Sequence, residues 1–185
     1  AAFCFLYAAN LDLLREASAQ LHFFSPLAGD ALPECDAVWL PGGYPELHLT
    51  TPSGRGDLHE ALRAHRDAGK PMLAECGGML FALDALTDRD GMRASMAGLL
   101  HGEATMQPRL AALGLQAVDL PAGALRGHTF HYAKARIDVP GLASACNPNG
   151  GPSVEAVYRQ SRTTASFVHF YFPSNPHAAT RLFRP

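Results

Sequence analysis

Pro71-Met72-Leu73-Ala74-Glu75-Cys76-Gly77-Gly78 is the stretch that decides the fold class of this chain. A short apolar run ends in a cysteine, two glycines follow, and an apolar-periodic segment then begins with Met79, Leu80, Phe81, Leu83 and Leu86. The pattern predicts a buried strand, a sharp turn and a helix, with a nucleophilic side chain at the apex. Glycine directly after the cysteine lets neighbouring backbone approach closely and tolerates strain that a side chain would forbid. Unpaired N–H groups and the dipole at the first turn of the helix favour a thiolate over a thiol. A free cysteine is more often a small buried hydrophobe, and Cys4, Cys35 and Cys146 read that way. The glycine context sets Cys76 apart.

Strand and helix signals alternate on either side of this turn. Phe3–Ala8 reads as a buried strand, and Leu11–Gln20 as a helix with Asn10 at its N-cap. Leu21–Phe24 and Ala37–Leu40 are short strands, the latter stopped by Pro41-Gly42-Gly43. Leu58–Ala68 is amphipathic, with Leu58, Ala61, Leu62 and His65 on one face and Arg63 and Arg66 on the other; Gly69 ends it. Such alternation implies an α/β fold of flavodoxin-like or Rossmann-like type, a mostly parallel sheet with helices on both faces. Beyond residue 95 the segments Met96–Met106, Gly114–Leu120, Ala124–Tyr132, Val154–Tyr158 and Ala165–Phe172 read as strands separated by turns. They predict antiparallel additions in the C-terminal half, with 147–152 as a loop. In open α/β sheets ligands bind at the carboxyl ends of the strands, where both Pro41-Gly42-Gly43 and Cys76 fall.

The length of 185 residues fits one domain spanning 1–185. A net charge of −2, without a basic run, argues against nucleic acid as a partner. Four cysteines without CxxC spacing suggest neither a zinc site nor a disulfide framework, so a reducing cytoplasm is the expected setting. No apolar run reaches membrane-spanning length, so no membrane partner is expected either. Residues 1–9 lack the charged start of a signal peptide and read as a strand beginning abruptly, as in a domain cut from a longer polypeptide.

A thiol nucleophile needs a base, an oxyanion hole and a substrate clamp. His169 is the candidate base, and strand alternation would place Phe167, His169 and Tyr171 on one face. A lone histidine in an aromatic strand is usually a satisfied core residue; pairing with Cys76 raises the catalytic reading. Backbone N–H groups of Gly77 and Gly43 are candidates for the oxyanion hole. Arg126-Gly127-His128-Thr129-Phe130-His131-Tyr132 could hint at a metal site. In a regular strand, however, His128 and His131 face opposite ways and chelate poorly, so no metal is expected and a substrate-lining role is preferred.

The motifs together resemble the glutamine amidotransferase domain of cobyrinic acid a,c-diamide synthases, within the class I, cysteine-nucleophile amidotransferases. The resemblance rests on Phe3-Cys4-Phe5, Phe23-Phe24-Ser25-Pro26-Leu27, Leu40-Pro41-Gly42-Gly43-Tyr44-Pro45-Glu46-Leu47 and Ala74-Glu75-Cys76-Gly77-Gly78-Met79. It continues through Met96-Ala97-Gly98-Leu99-Leu100 and Arg126-Gly127-His128 with Phe130-His131-Tyr132, and ends at His169. It implies Cys76 and His169 as catalytic residues, Gly43 and Gly77 as the oxyanion hole, and Gly42, Tyr44, Glu46, Arg126, His128 and His131 as substrate-binding residues. It further implies glutamine as substrate, and an ATP-binding synthase domain, fused or separate, that holds Mg²⁺-ATP and the corrinoid. No cofactor is expected in this domain, since no G-x-x-x-x-G-K-[ST] phosphate loop occurs in the chain.

One position departs from the pattern. Many class I relatives carry a glutamate two residues after the catalytic histidine, and here that position is Tyr171. A tyrosine supplies no negative charge, which leaves a Cys76–His169 dyad without an identified orienting partner; Glu46 and Glu75 are the available carboxylates, and sequence places neither beside His169. Three other readings compete with the a,c-diamide assignment. They are the glutaminase domain of a cobyric acid synthase, a non-catalytic binding module of the same fold, and a different Cys–His hydrolase, which Pro-Gly-Gly-Tyr-Pro-Glu-Leu argues against.

Overall fold

The computed structural model describes residues 3–153 and 155–184, and of Pro52 only the backbone. Its centre is β2 (Met72–Glu75), buried along its whole length. β2 lies between β1 (Val38–Leu40) and β11 (Thr163–Ser166), parallel to both. Side chains of a strand alternate between faces, and here the alternation divides the core in two. Met72 and Ala74 join Leu58 and Leu62 of α3 (Gly56–Asp67) and Met79–Ala82 of α4 (Gly77–Ala82) on one side. Leu73 joins Leu13 and Leu14 of α1 (Ala8–Glu16) and Ala178 and Ala179 of α5 (Pro176–Arg181) on the other. Helices therefore cover both faces of the sheet, as the alternating pattern predicts.

The parallel part is smaller than the strand–helix alternation suggests. Eight strands run in the order β1-β2-β11-β10-β9-β6-β7-β12, and beyond β11 every pairing is antiparallel. These strands are β10 (Ala156–Gln160), β9 (Gly141–Cys146), β6 (Ala112–Leu120), β7 (Gly123–His131) and β12 (His169–Tyr171). The long β6–β7 hairpin and the meander behind it need no crossover helix, so the second half of the chain contributes strands without intervening helices. A second sheet has the order β4-β3-β5-β8, from β4 (Arg93–Ser95), β3 (Ala85–Thr87), β5 (Gly102–Met106) and β8 (Ala133–Ile137). Arg63 and Arg66 of α3 donate to the carbonyls of Ala97 and Gly98, both at 2.9 Å, and so anchor the loop between β4 and β5.

The N-terminal third departs most from the sequence reading. Phe3–Ala8 forms no ladder beyond an antiparallel bridge between Phe5 and Gly42. Asn10 lies inside α1, whose N-cap is Tyr7, because its side chain is taken by the far end of the chain. Leu21–Phe24 forms no strand: β1 has β2 as its hydrogen-bonded neighbour and ends the sheet. A cavity of about 750 Å³ instead runs between Leu21–Phe24 and β1, and neither Cys76 nor His169 lines it. Met96–Met106 shortens to β5, and Ala165–Phe172 splits into β11 and β12. Val154, read as the start of a strand, lies outside the described residues. No helix among the described residues is long and apolar enough to cross a membrane.

Candidate active site

Cys76 stands where β2 turns into α4, with φ of +46° and ψ of −105°. Non-glycine residues rarely hold such a backbone, and strained residues of this kind cluster at functional sites. The Cys76 N–H donates to the carbonyl of Ser166 on β11 at 2.8 Å, fixing the turn to the neighbouring strand. The elbow needs its glycines for close approach. A Cβ on Gly77 would overlap the Gly43 backbone, with the nitrogen only 2.6 Å away, and one on Gly78 would overlap the Leu40 carbonyl. Gly43 and Gly77, the two expected oxyanion donors, are thus backbone neighbours beside the nucleophile.

His169 reaches the same place from the opposite edge of the sheet. β12 pairs antiparallel with β7, placing His169 opposite His128, and the two imidazoles stack at 5.1 Å. Phe5 and Tyr7 close the ring edge-on at 5.6 and 6.4 Å, and the Tyr7 hydroxyl lies 3.2 Å from His128 Nε2. Gly42 packs directly on the ring, 2.8 Å from its Nδ1 to where a Cβ would stand. Cys76 Sγ contacts the Phe130 carbonyl at 3.9 Å, two residues along β7 from His128. Nucleophile and imidazole therefore meet one short stretch of β7, roughly 7 Å long at the usual strand rise. Among the described residues His169 Nδ1 has no hydrogen-bond partner.

Tyr171 does not share the pocket. It is 50% exposed where His169 is 2% exposed. The chain breaks at Phe167-Val168, where Ser166 Oγ takes the Val168 N–H, so Phe167 falls on the His131 side of β7; within β12 His169 and Tyr171 do share a face, and Tyr171 lies at its exposed end. Tyr171 pairs across the strands with Arg126, which is also exposed. Tyr171→Glu is accordingly expected to change stability by less than about 0.5 kcal/mol and to leave His169 unaffected. An NMR titration of His169 that moved in this variant would contradict the placement.

The other anticipated binding residues separate into a rim and a core. Tyr44 stands half-exposed at the mouth with its ring edge on Phe5 at 5.2 Å. Glu46 buries Oε2 without a partner among the described residues. Burial raises its carboxyl, opposed by its own backbone N–H and by Arg89. Arg89 in turn lies over the Tyr132 ring at 4.8 Å. Arg126 and His128 share one face of β7 with Phe130. His131 faces away into the core, and its reading as a substrate-lining residue is corrected. Its Nε2 meets Glu155 at 2.9 Å, its Nδ1 meets the Ala133 carbonyl at 3.0 Å, and its ring stacks on Phe167 at 3.8 Å. Glu155 carried no signal in the sequence, because a glutamate at the start of a strand, just after a turn rich in Asn, Pro and Gly, gives no sign of burial.

Electrostatics correct a second expectation. Burial pushes the Cys76 thiol up to about 12, outweighing the hydrogen bond from Gly77 N–H, with Glu46, Glu75 and Glu155 adding like charge. A single turn of glycine-rich helix does not overcome that desolvation, so the resting group is a thiol. Burial, with His128 and His131 beside it, lowers His169 to about 4. The dyad rests as neutral thiol and neutral imidazole.

Two buried groups set the pH dependence of stability in opposite senses. Between pH 4 and the ordinary 6.5 the unfolded chain carries a proton that folded His169 lacks, so this contribution is complete above 6.5 and lost as pH falls towards 4. Burial raises Glu75 from 4.5 to about 8, so the folded chain holds the extra proton there and stability is lost as pH rises through that range. Denaturant unfolding is expected to show declining stability from pH 6.5 to 8, and Glu75→Gln should remove the decline. A parent chain equally stable across that interval would contradict a buried titration at Glu75.

Known proteins resemble this chain in sequence and in fold. A family model for the CobB/CobQ-like glutamine amidotransferase domain matches residues 1–177. The hydrogenobyrinate a,c-diamide synthase of Pseudomonas aeruginosa is 58% identical over 185 residues, covering 100% of this chain and 42% of the relative. That of Stutzerimonas stutzeri is 59% identical, covering 100% and 43%. The cobyrinate a,c-diamide synthase of Herminiimonas arsenicoxydans is 47% identical, covering 100% and 42%. The chain thus spans about two fifths of the length of these curated relatives. A solved glutamine amidotransferase superposes with a TM-score of 0.65 at 15% identity, covering 94% of this chain and 90% of its own, a likeness of fold. With the family model matching nearly its whole length, the chain belongs to the CobB/CobQ-like glutamine amidotransferase family.

Proposed function

We propose that this domain hydrolyses glutamine. The ammonia would serve ATP-dependent amidation of the a and c carboxylates of cobyrinic or hydrogenobyrinic acid by a synthase domain of the same protein. The observation that carries the reading is that strained Cys76 and buried His169 meet one stretch of β7, with the Gly43 and Gly77 backbones packed together beside Cys76. Glutamine would enter past Tyr44, its ammonium drawn to Glu46, whose Oε2 has no partner among the described residues. With both groups neutral at rest, the Cys76 proton moves to His169 as Sγ bonds to the carboxamide carbon. The oxyanion is held by the Gly43 and Gly77 N–H groups. Imidazolium then protonates the departing amine, ammonia leaves, and a γ-glutamyl thioester remains. His169 takes a proton from water as it attacks, the C–S bond breaks, and glutamate and the thiol are restored. ATP chemistry belongs to the synthase domain, since this chain lacks a phosphate loop.

A thiol held near 12 and an imidazole held near 4 both slow proton transfer, which points to low turnover by the domain alone. Glutamate release is expected to be slow for this chain and to rise when a matching ATP-binding domain, corrinoid and Mg²⁺-ATP are added. No glutamate release under either condition would favour the non-catalytic binding module. Stimulation by cobyric acid synthesis components instead would favour that alternative family member.

A further inference from the structure

β12 ends the sheet, so its backbone has one paired side and one free side. The paired side is β7. The free side is not left to water: two buried side chains take its polar groups. Glu75 Oε1 accepts the Phe170 N–H at 2.9 Å. Asn10 Nδ2 donates to the Phe170 carbonyl at 2.8 Å, and Asn10 Oδ1 accepts the Phe172 N–H at 2.8 Å. Glu75 and Asn10 are 1% and 0% exposed. Glu75 Oε2 accepts from Trp39 Nε1 at 2.8 Å.

We propose that Glu75, the residue before the nucleophile, is the positioning residue for His169, acting through the backbone of Phe170, with Asn10 gripping the same residue from α1. The proposal rests on the glutaminase reading of Cys76 and His169. Cys76 adjoins Glu75 and His169 adjoins Phe170, so one hydrogen bond closes a short loop between nucleophile and base. Class I relatives with a glutamate two residues after the histidine orient the imidazole itself. Here residue 171 lies at the exposed end of β12 and among the described residues Nδ1 has no partner, so the ring is set by the strand that carries it and by its walls, Gly42, Phe5, Tyr7 and His128.

The chemistry of the contact calls for a carboxyl group. Two N–H donors converge on Glu75, and each carboxyl oxygen keeps a lone pair for one of them even in the protonated form that burial favours, whereas an amide would turn its own donor on one of them. An apolar side chain of the same volume would escape the desolvation that burdens a buried acid, yet would leave the Phe170 N–H unpaired. The charged and titratable groups around His169 are His128 and His131 on β7, Tyr7 at the start of α1, and Glu75 and Cys76 at the end of β2.

The test compares Glu75→Leu, which fills the space without an acceptor, with Glu75→Gln, which keeps an acceptor for Phe170, and with Trp39→Phe, which removes the other donor. Three quantities are read: glutamate release against pH, the His169 Cε1–H titration by NMR, and thermal melting. Glu75→Leu is expected to lower kcat at least about tenfold with little change in KM, as a slightly misplaced catalytic group does. Its His169 titration should rise from about 4 towards the ordinary imidazole value as water reaches the loosened ring. Glu75→Gln and Trp39→Phe should melt lower, yet keep the His169 titration of the parent and a kcat within about threefold, since the Phe170 contact survives.

A folded Glu75→Leu variant with parental kcat and titration would overturn the proposal. So would Trp39→Phe losing as much kcat as Glu75→Leu, which would mark a purely structural role. If Glu75→Leu does not fold, Asn10→Leu removes the opposite grip and must shift His169 in the same direction; an unmoved titration there overturns the proposal. The NMR reading needs no substrate, so it separates failure of the clamp from failure of the glutaminase reading, which absent turnover in the parent would signal.

Discussion

Cys76→Ser is expected to lower glutamine hydrolysis by at least about a thousandfold while melting within a few degrees of the parent, because the nucleophile carries the covalent step. Serine fits the same +46° backbone and the same volume, so the elbow persists. Its hydroxyl is a far weaker acid than a thiol, and His169, its proposed base, is held near 4, too weak a base to activate an alcohol. Glutamate release and a thermal melt on both proteins check the result. A serine variant with parental turnover would remove Cys76 from the mechanism.

Gly78→Ala carries the largest expected loss of stability. A methyl at this position would overlap the Leu40 carbonyl and stand 2.9 Å from the Leu40 Cβ, and both neighbours are main chain or fixed to it. α4 would have to move away from β1, opening the core between Leu40, Met79 and Leu80. Overpacking against backbone costs about 3 kcal/mol or more. The denaturant midpoint reads the effect directly, and a loss below about 1 kcal/mol would mean the elbow is looser than drawn. Because Leu40 leads into Pro41-Gly42-Gly43, activity should fall with stability.

The strand–turn–helix around Cys76 was legible because its chemistry is local: apolar run, cysteine, paired glycines, apolar period. Coverage of both sheet faces followed from helical spacing in Leu58, Leu62 and His65. What escaped was set by distant partners. Asn10 looks like a cap from its neighbours, but its side chain belongs to Phe170 and Phe172, 160 residues away. Ala165–Phe172 reads as one strand because the break depends on Ser166 and on β7, not on a glycine or proline. Phe167 was misplaced onto the His169 face for that reason: its ring stacks on His131, on the opposite face of β7 from His128. Glu75 reads as the last residue of a strand, and nothing local shows its carboxyl reaching β12 and Trp39. Helix-terminus logic favoured a thiolate at Cys76, but burial opposes it and wins; burial at a mouth closed by Phe130 and Gly43 is not visible in spacing. His128 and His131 did separate to opposite faces as alternation requires, although only His128 reaches the site.

The central claim is that Cys76 attacks a glutamine carboxamide with His169 as its base. Incubation with the glutamine-like electrophile diazo-oxo-norleucine, followed by peptide mass spectrometry, tests it most directly. Cys4 and Cys146 are exposed and Cys35 is half-buried, so simple accessibility would favour any of them over buried Cys76. One adduct is expected, on Cys76, suppressed by glutamine and lost in His169→Asn. Adducts on Cys4, Cys35 or Cys146 with Cys76 unmodified would contradict it.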